Sequence, residues 1–162
     1  MEIIFYIILV SITVFAYSSR SMRLHQPLET PFPTPDIFQG AKCVLNEANI
    51  HTSKPVALHG RVDQVFQLRD GTHLILDTKV RERIKVYPSD IVQLSVYALI
   101  LKYQGYKVCA IALLRFPTGN GKAIYLPVRL YPESKVISLY HRYISILSGS
   151  KTATCRCGKH HP

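Results

Sequence analysis

The chain has 162 residues, 48% of them hydrophobic, with 20 Lys and Arg against 10 Asp and Glu and a formal charge of +10. That length suits one domain with a real core, and four cysteines in a chain read as cytoplasmic argue against a disulfide framework. So basic a surface fits a polyanion or an acidic membrane, with solubility as the plainer alternative.

Ile3 to Tyr17 carry no charge, and Ser18 and Ser19 extend the run. This is close to the lower limit for a membrane-spanning helix. No Lys or Arg precedes it, so the basic start of a secretory signal is missing, while Arg20 and Arg23 follow at once. The positive-inside rule then sets the rest of the chain in the cytoplasm. Residues 1–19 are therefore expected to form a single-pass transmembrane anchor. A cleaved signal, a packed helix or a start at Met22 are the alternatives. Residues 20–35, with Pro27, Pro31, Pro33 and Pro35, read as an extended linker.

A domain is expected over residues 36–148. Asp36 is placed to cap a short helix to about Asn49, carrying Ile37, Phe38, Ala41, Val44, Leu45 and Ala48. Val56 to Leu68 reads as a first strand, with Val56, Leu58, Gly60, Val62, Phe66 and Leu68 on one face and Asp63 on the other. Arg69-Asp70-Gly71 turns the chain, Asp-Gly being a strong hairpin signal. Thr72 to Val80 is the second strand, apolar on both faces through Leu74-Ile75-Leu76, as in a buried central strand. Asp77 and Lys79, two residues apart, end it on one side. The segment Val80 to Val86 alternates Arg81, Arg83 and Lys85 with other residues; it is either a solvated loop or a phosphate-contacting one.

Pro88-Ser89-Asp90 opens a helix that Gly105 stops. Gln93 and Tyr97, four apart, share a stripe of it. Lys107 to Phe116 and Lys122 to Leu130 are third and fourth strands around the Thr118-Gly119-Asn120-Gly121 loop. A last helix runs from Pro132 to about Ser148, and residues 149–162 form a basic Cys/His tail.

Two carboxylates at one strand end make an oxygen-rich site for a hard cation such as Mg²⁺ or Mn²⁺. Such a cation polarises a phosphodiester and activates water, and a neighbouring lysine offsets charge that builds on the phosphate. An aspartate and a lysine on adjacent strands also form ordinary surface ion pairs. Gly60-Arg61-Val62-Asp63, Asp77-Thr78-Lys79 and Gln93-Leu94-Ser95-Val96-Tyr97, in that order, resemble the PD-(D/E)XK nuclease superfamily. The nearest branch is the RecB-like one that includes CRISPR-associated exonucleases. The resemblance covers roughly Val56 to Phe116. It implies an α/β fold with a mixed sheet flanked by helices, a restriction-endonuclease-like core, which agrees with the strand and helix order above. It further implies that Asp63, Asp77 and the backbone carbonyl of Thr78 hold the metal. Lys79 would be catalytic, and Gln93 and Tyr97 would contact the nucleic acid or brace the site.

The family commonly adds an upstream histidine ligand. Here His51 and His59 are the candidates, neither in a clear matching motif, and Glu47 is the upstream carboxylate placed to reach the site. Some relatives carry an iron–sulfur cluster on one cysteine before the core and three after it. Cys43, Cys109, Cys155 and Cys157 do not match that pattern, which argues against a cluster. Cys155, Cys157, His160 and His161 are candidate zinc ligands at tighter spacing than usual, and a disordered basic tail is the alternative. The expected function is a membrane-tethered, Mg²⁺-dependent nuclease acting on DNA, with specificity supplied by a larger complex and no small-molecule substrate. Its rivals are a silent nucleic-acid- or partner-binding module of the same fold, and an anchored structural part of a secretion or transfer machine.

Overall fold

The computed structural model describes residues 37–118 and 122–152. The expected anchor, the linker and the tail cysteines and histidines lie outside them. Among the described residues no helix is long and apolar enough to cross a membrane.

Five strands and two helices follow in the order β1 (Lys42–Thr52), β2 (Leu58–Gln67), β3 (His73–Thr78), α1 (Pro88–Tyr103), β4 (Ile111–Pro117), β5 (Ala123–Arg129) and α2 (Glu133–Leu147). The strands form one sheet in the order β1-β2-β3-β4-β5. The pairs β1/β2, β2/β3 and β4/β5 are antiparallel, and β3/β4 is parallel. The fold is α/β with a mixed sheet. α1 is the crossover that lets β4 return parallel to β3, because parallel neighbours cannot be joined by a hairpin.

The β2–β3 turn forms as its sequence dictates. Asp70 Oδ1 accepts the backbone N–H of Thr72 at 2.9 Å and its hydroxyl at 2.6 Å. Gly71 takes φ +77°, where a side chain would be strained.

One element differs from its expectation. The stretch read as a helix from Asp36 to Asn49 is a turn at residues 38–40 followed by β1. Gly40 sits at φ +73°, and a Cβ there would stand 2.6 Å from Arg69 Nε, so the chain leaves any helix at this point. Nine residue pairs with β2 then override a mixed local propensity.

A large cluster lies between the sheet and α1. It holds Leu58, Val62, Val65, Ile75, Leu114 and Phe116 from the strands and Leu94, Tyr97 and Ile100 from the helix. α1 is apolar on nearly every side, as a helix buried in a core must be. Ser95 staples it to the chain after β5, donating to Ile91 O at 2.6 Å and accepting the Tyr131 N–H at 2.8 Å. On the other face Leu74, Leu76 and Leu113 pack with Phe38, Phe66, Leu68 and Tyr125.

The split between the clusters corrects the face assignment of β2. Val62 and Val65 are both fully buried in the α1 cluster, while Phe66 and Leu68 join the opposite one. The alternation therefore changes phase between Val62 and Val65. On β1, Glu47 lies between the pairs Asn46↔Gln64 and Ala48↔Val62, opposite Asp63, and adopts φ +49°. A non-glycine residue in that region marks a local irregularity in the strand. Asp77 lies on the side of Ile75, so it faces the α1 cluster rather than away from it.

Candidate functional site

The β2/β3 register pairs Gln64 with Leu76, which sets Asp63 opposite Asp77 one step further along. Opposed residues of antiparallel strands share a face and lie within direct reach. Asp63 Oδ2 accepts the backbone N–H of Thr78 at 2.8 Å, fixing one carboxylate to the end of β3. Asp77 is 2% exposed. Lys79 Nζ stands 2.8 Å from Asp77 Oδ2 and donates to Gln93 Oε1 at 2.9 Å. Gln93 Nε2 donates to the Tyr97 hydroxyl at 2.8 Å and reaches Asp77 Oδ1 at 3.4 Å. Two strands and one helix turn thus bring Asp63, Asp77, Lys79, Gln93 and Tyr97 into one constellation.

Gly60 belongs to it for a steric reason. A Cβ at that position would lie 2.5 Å from Tyr97 Cε1. The ring of Tyr97 occupies the space over the bare backbone, so the glycine of Gly60-x-x-Asp63 and the tyrosine of Gln93-x-x-x-Tyr97 form one contact.

The electrostatics are those of a buried acid under compensated. Burial pushes the Asp77 carboxyl up; the Lys79 ammonium beside it opposes that, and the charges of Asp63 and Asp90 add to the rise. Lys79 is within ion-pair distance of Asp77 Oδ2, yet that buried oxygen has no donor aimed at it with hydrogen-bond geometry. Lys79 partly offsets the charge, and Oδ1 accepts from Gln93 Nε2. Burial also pushes the Tyr97 hydroxyl up to about 12, so it is neutral at physiological pH while it accepts from Gln93.

Among the described residues no group of three or more His, Cys, Asp and Glu side chains is arranged to hold a metal. Two carboxylates do converge. Mg²⁺ is bound through one or two carboxylates and keeps several waters, so Asp63 and Asp77 with their hard oxygens fit it, and the undonated Asp77 Oδ2 is an acceptor such an ion would satisfy.

The other candidates fall elsewhere. Glu47 pairs with Arg61 at 2.7 Å, both more than half exposed. The His51 carbonyl accepts from Gln104 Nε2 at 3.0 Å, and His51 and His59 face each other across β1 and β2 as exposed residues. No hydrogen bond or ion pair joins Glu47, His51 or His59 to Asp63 or Asp77 among the described residues. Arg81 is turned inward. Its Nη2 pairs with buried Asp90 at 2.8 Å, and its guanidinium lies 4.9 Å from the Tyr87 ring centre and 5.7 Å from that of Phe116. Asp90 also accepts the Tyr87 N–H at 2.8 Å, half of a capping arrangement at the start of α1. Arg83 and Lys85 are exposed on the same segment, with Lys85 Nζ 5.6 Å over Tyr87. Among the described residues, Cys43 and Cys109 form no disulfide. A cleft of about 800 Å³ lined by Ser138, His141, Arg142, Ser145, Ile146, Lys151 and Thr152 shares no residue with the site, and none of its lining residues is buried.

One residue at the site had no signal in the sequence. Arg115 pairs with Thr78 across the parallel β3/β4 ladder. Its Nε donates to Thr78 Oγ1 at 3.1 Å, and its carbonyl accepts the Lys79 N–H at 2.9 Å. Only the three-dimensional register of β4 on β3 brings it there.

The chain matches no protein-family model and no curated protein. Among solved structures, the crystal structure of SSO0001 aligns over 70% of this chain and 55% of its own length, with a TM-score of 0.48 and 15% identical residues. This chain thus spans about half the length of that protein.

Proposed function

We propose that the chain hydrolyses phosphodiester bonds of DNA with Mg²⁺ or Mn²⁺, at the site formed by Asp63, Asp77 and Lys79. The observation that carries this reading is the buried Asp77 carboxylate, with Lys79 Nζ 2.8 Å from its Oδ2, beside Asp63 at the same strand end. A purely structural ion pair does not need a second carboxylate held opposite it, since like charges at close range raise each other's cost.

Asp63 and Asp77 would hold the cation, with the Thr78 carbonyl as the further ligand that the motif implies. When bound, the ion supplies Lewis-acid polarisation of a phosphoryl oxygen. Lys79 offers a preorganised positive charge where negative charge develops on the phosphate. Gln93 fixes the Lys79 ammonium by accepting from it, and Tyr97 anchors Gln93 from below. The tyrosine hydroxyl keeps its proton across the physiological range, so it orients and does not act as a base. The basic surface supplies affinity for the polyanion independent of base sequence. Tethering by residues 1–19 and delivery by a partner complex belong to the same proposal and rest on the sequence alone.

The test is a cleavage assay of the full chain on single-stranded, duplex and branched DNA, with Mg²⁺, with Mn²⁺ and with EDTA. Metal-dependent cleavage that disappears in Asp77→Asn is expected. Binding without cleavage of all three substrates would favour the silent binding module instead.

A further inference from the structure

The basic side chains around the site differ in one respect that the geometry makes plain. Lys79 is paired with Asp77, Arg81 with Asp90, and Arg61 with Glu47. Arg115 has no carboxylate partner among the described residues. It is only partly exposed, and its guanidinium is already held at one edge by the Nε bond to Thr78 Oγ1. Among the described residues the two Nη groups make no hydrogen bond, and theirs is the edge that reads a phosphate bidentately.

Its placement adds a direction. Ala112, Leu114 and Phe116 pack in the α1 cluster, while Ile111 and Leu113 pack in the other. Arg115 follows the alternation of Ile111 and Leu113 and so stands on the face away from Asp77, at the same end of the sheet. Thr78, its side-chain partner, shares that face, one residue from both Asp77 and Lys79. The two faces therefore carry different chemistry at one strand end: carboxylates and lysine on the α1 side, an unpaired arginine on the other.

We propose that Arg115 is a phosphate-binding residue that grips the DNA backbone at a phosphodiester neighbouring the scissile one, so that the strand passes over the end of β3 from the α1 face to the opposite face. The inference rests on the nuclease reading of the site for the identity of the ligand, and it assigns the site a second contact point and a path. The Thr78 hydroxyl is the positioning group, because it holds Nε and thereby turns the Nη edge outward.

Binding of fluorescein-labelled oligonucleotides to the full chain in EDTA, followed by anisotropy across a salt series, tests this without any turnover. Arg115→Ala should weaken binding roughly tenfold at low salt, the loss of one charge-assisted contact. It should also lower the slope of log affinity against log salt by about 1. Arg115→Lys should restore the slope but only part of the affinity, since it keeps the charge and loses the fork. Thr78→Val should fall between wild type and Arg115→Ala. The wild-type protein with oligonucleotides carrying one neutral methylphosphonate at successive positions gives an independent measure that does not depend on a variant folding. One position should weaken wild-type binding, and the same position should cost nothing further in Arg115→Ala. Unchanged affinity and slope in Arg115→Ala overturn the inference, as does the absence of any methylphosphonate position coupled to Arg115. Metal-dependent cleavage with either of those results leaves the nuclease reading standing and removes Arg115 from it. The coupled pattern without cleavage keeps Arg115 as a phosphate contact and removes the reaction.

Discussion

The two ends of α1 carry nearly the same set of side chains and treat them in opposite ways. Toward its start, Asp77, Lys79, Gln93 and Tyr97 form a carboxylate–ammonium–hydroxyl constellation. At its end, Glu133, Lys102 and Tyr103 form another, with both Lys102 Nζ and the Tyr103 hydroxyl bonded to the Glu133 carboxylate. In the first the carboxyl is held above its ordinary range, with burial the largest cause. In the second it is held below, chiefly by the hydrogen bonds from Lys102 and Tyr103. Residue type does not decide the sign; desolvation does. The water-facing set is a fastener between α1 and α2, and the buried set holds the carboxyl that we propose binds a cation.

The largest effect separating the two sets is on cleavage. Lys79→Ala should lower the Mg²⁺-dependent rate on the order of a thousandfold, the scale of losing one preorganised stabilising group. Binding of DNA and metal should survive. Lys102→Ala should leave the rate as it is. Equal losses from both would erase the distinction between a reactive and a fastening pair; single-turnover rates for the two variants decide it. Asp63→Asn and Asp77→Asn should both lose metal binding by calorimetry together with turnover.

Next in size is a steric effect confined to the buried set. Gly60→Ala places a Cβ 2.5 Å from the Tyr97 ring, which is itself 2% exposed and has nowhere to swing. The domain should lose about 2 kcal/mol, as for overpacking of a core, and the Tyr97–Gln93–Lys79 chain should loosen. Urea melts and cleavage rates should therefore fall together. Intact stability and activity in Gly60→Ala would show that the ring does not brace the lysine.

Proton linkage gives a smaller effect, opposite in sign at the two ends. The Asp77 carboxyl is raised in the folded protein, so the metal-free fold binds its proton more tightly than the unfolded chain does. Stability from this group is present at low pH and lost as pH rises from the unfolded value through the folded one. The net rise already includes the help of Lys79. Asp77→Asn should consequently stabilise the metal-free protein at pH 7, with the advantage vanishing in acid. Mg²⁺ should reverse the order of the two melting temperatures. Glu133 is lowered, so its contribution is present above the unfolded value and lost as pH falls through the folded one. Lys102 is 63% exposed, so Glu133→Gln should give the smallest change of the series, one that fades as salt is added. A salt-insensitive loss there would mean that the exposed set is more than a surface fastener.

Much of this site can be read from residue order. The three motifs place Asp63, Asp77, Lys79, Gln93 and Tyr97 together because a hairpin register and a four-residue helix spacing are local rules, and both are written in short stretches. The β2–β3 turn and the start of α1 follow from Asp70-Gly71 and Pro88 for the same reason. β1 resisted because an eleven-residue strand with Val44, Leu45 and Ala48 also satisfies a helical pattern; pairing with β2 settles it. The phase change between Val62 and Val65 lies beside the irregular backbone of Glu47 on the neighbouring strand, and no periodicity of β2 signals it. Arg81 looked like a surface cation among others until Asp90 and two rings enclosed it. Arg115 required the parallel register of β3 and β4, which comes only after the crossover helix has packed.

The inward turn of Arg81 has a consequence for how a ligand is received. Residues 80–86 make no backbone–backbone hydrogen bonds among the described residues, which by itself suggests a segment free to wander. The guanidinium between Asp90, Tyr87 and Phe116 pins it at its start and leaves one short arc, residues 82–86, before α1, with little configurational freedom left to lose. A partner docking on the exposed side chains of that arc meets a surface that is already shaped. Its association should be close to rigid-body in character, with a small entropic cost of ordering and little dependence of on-rate on loop rearrangement.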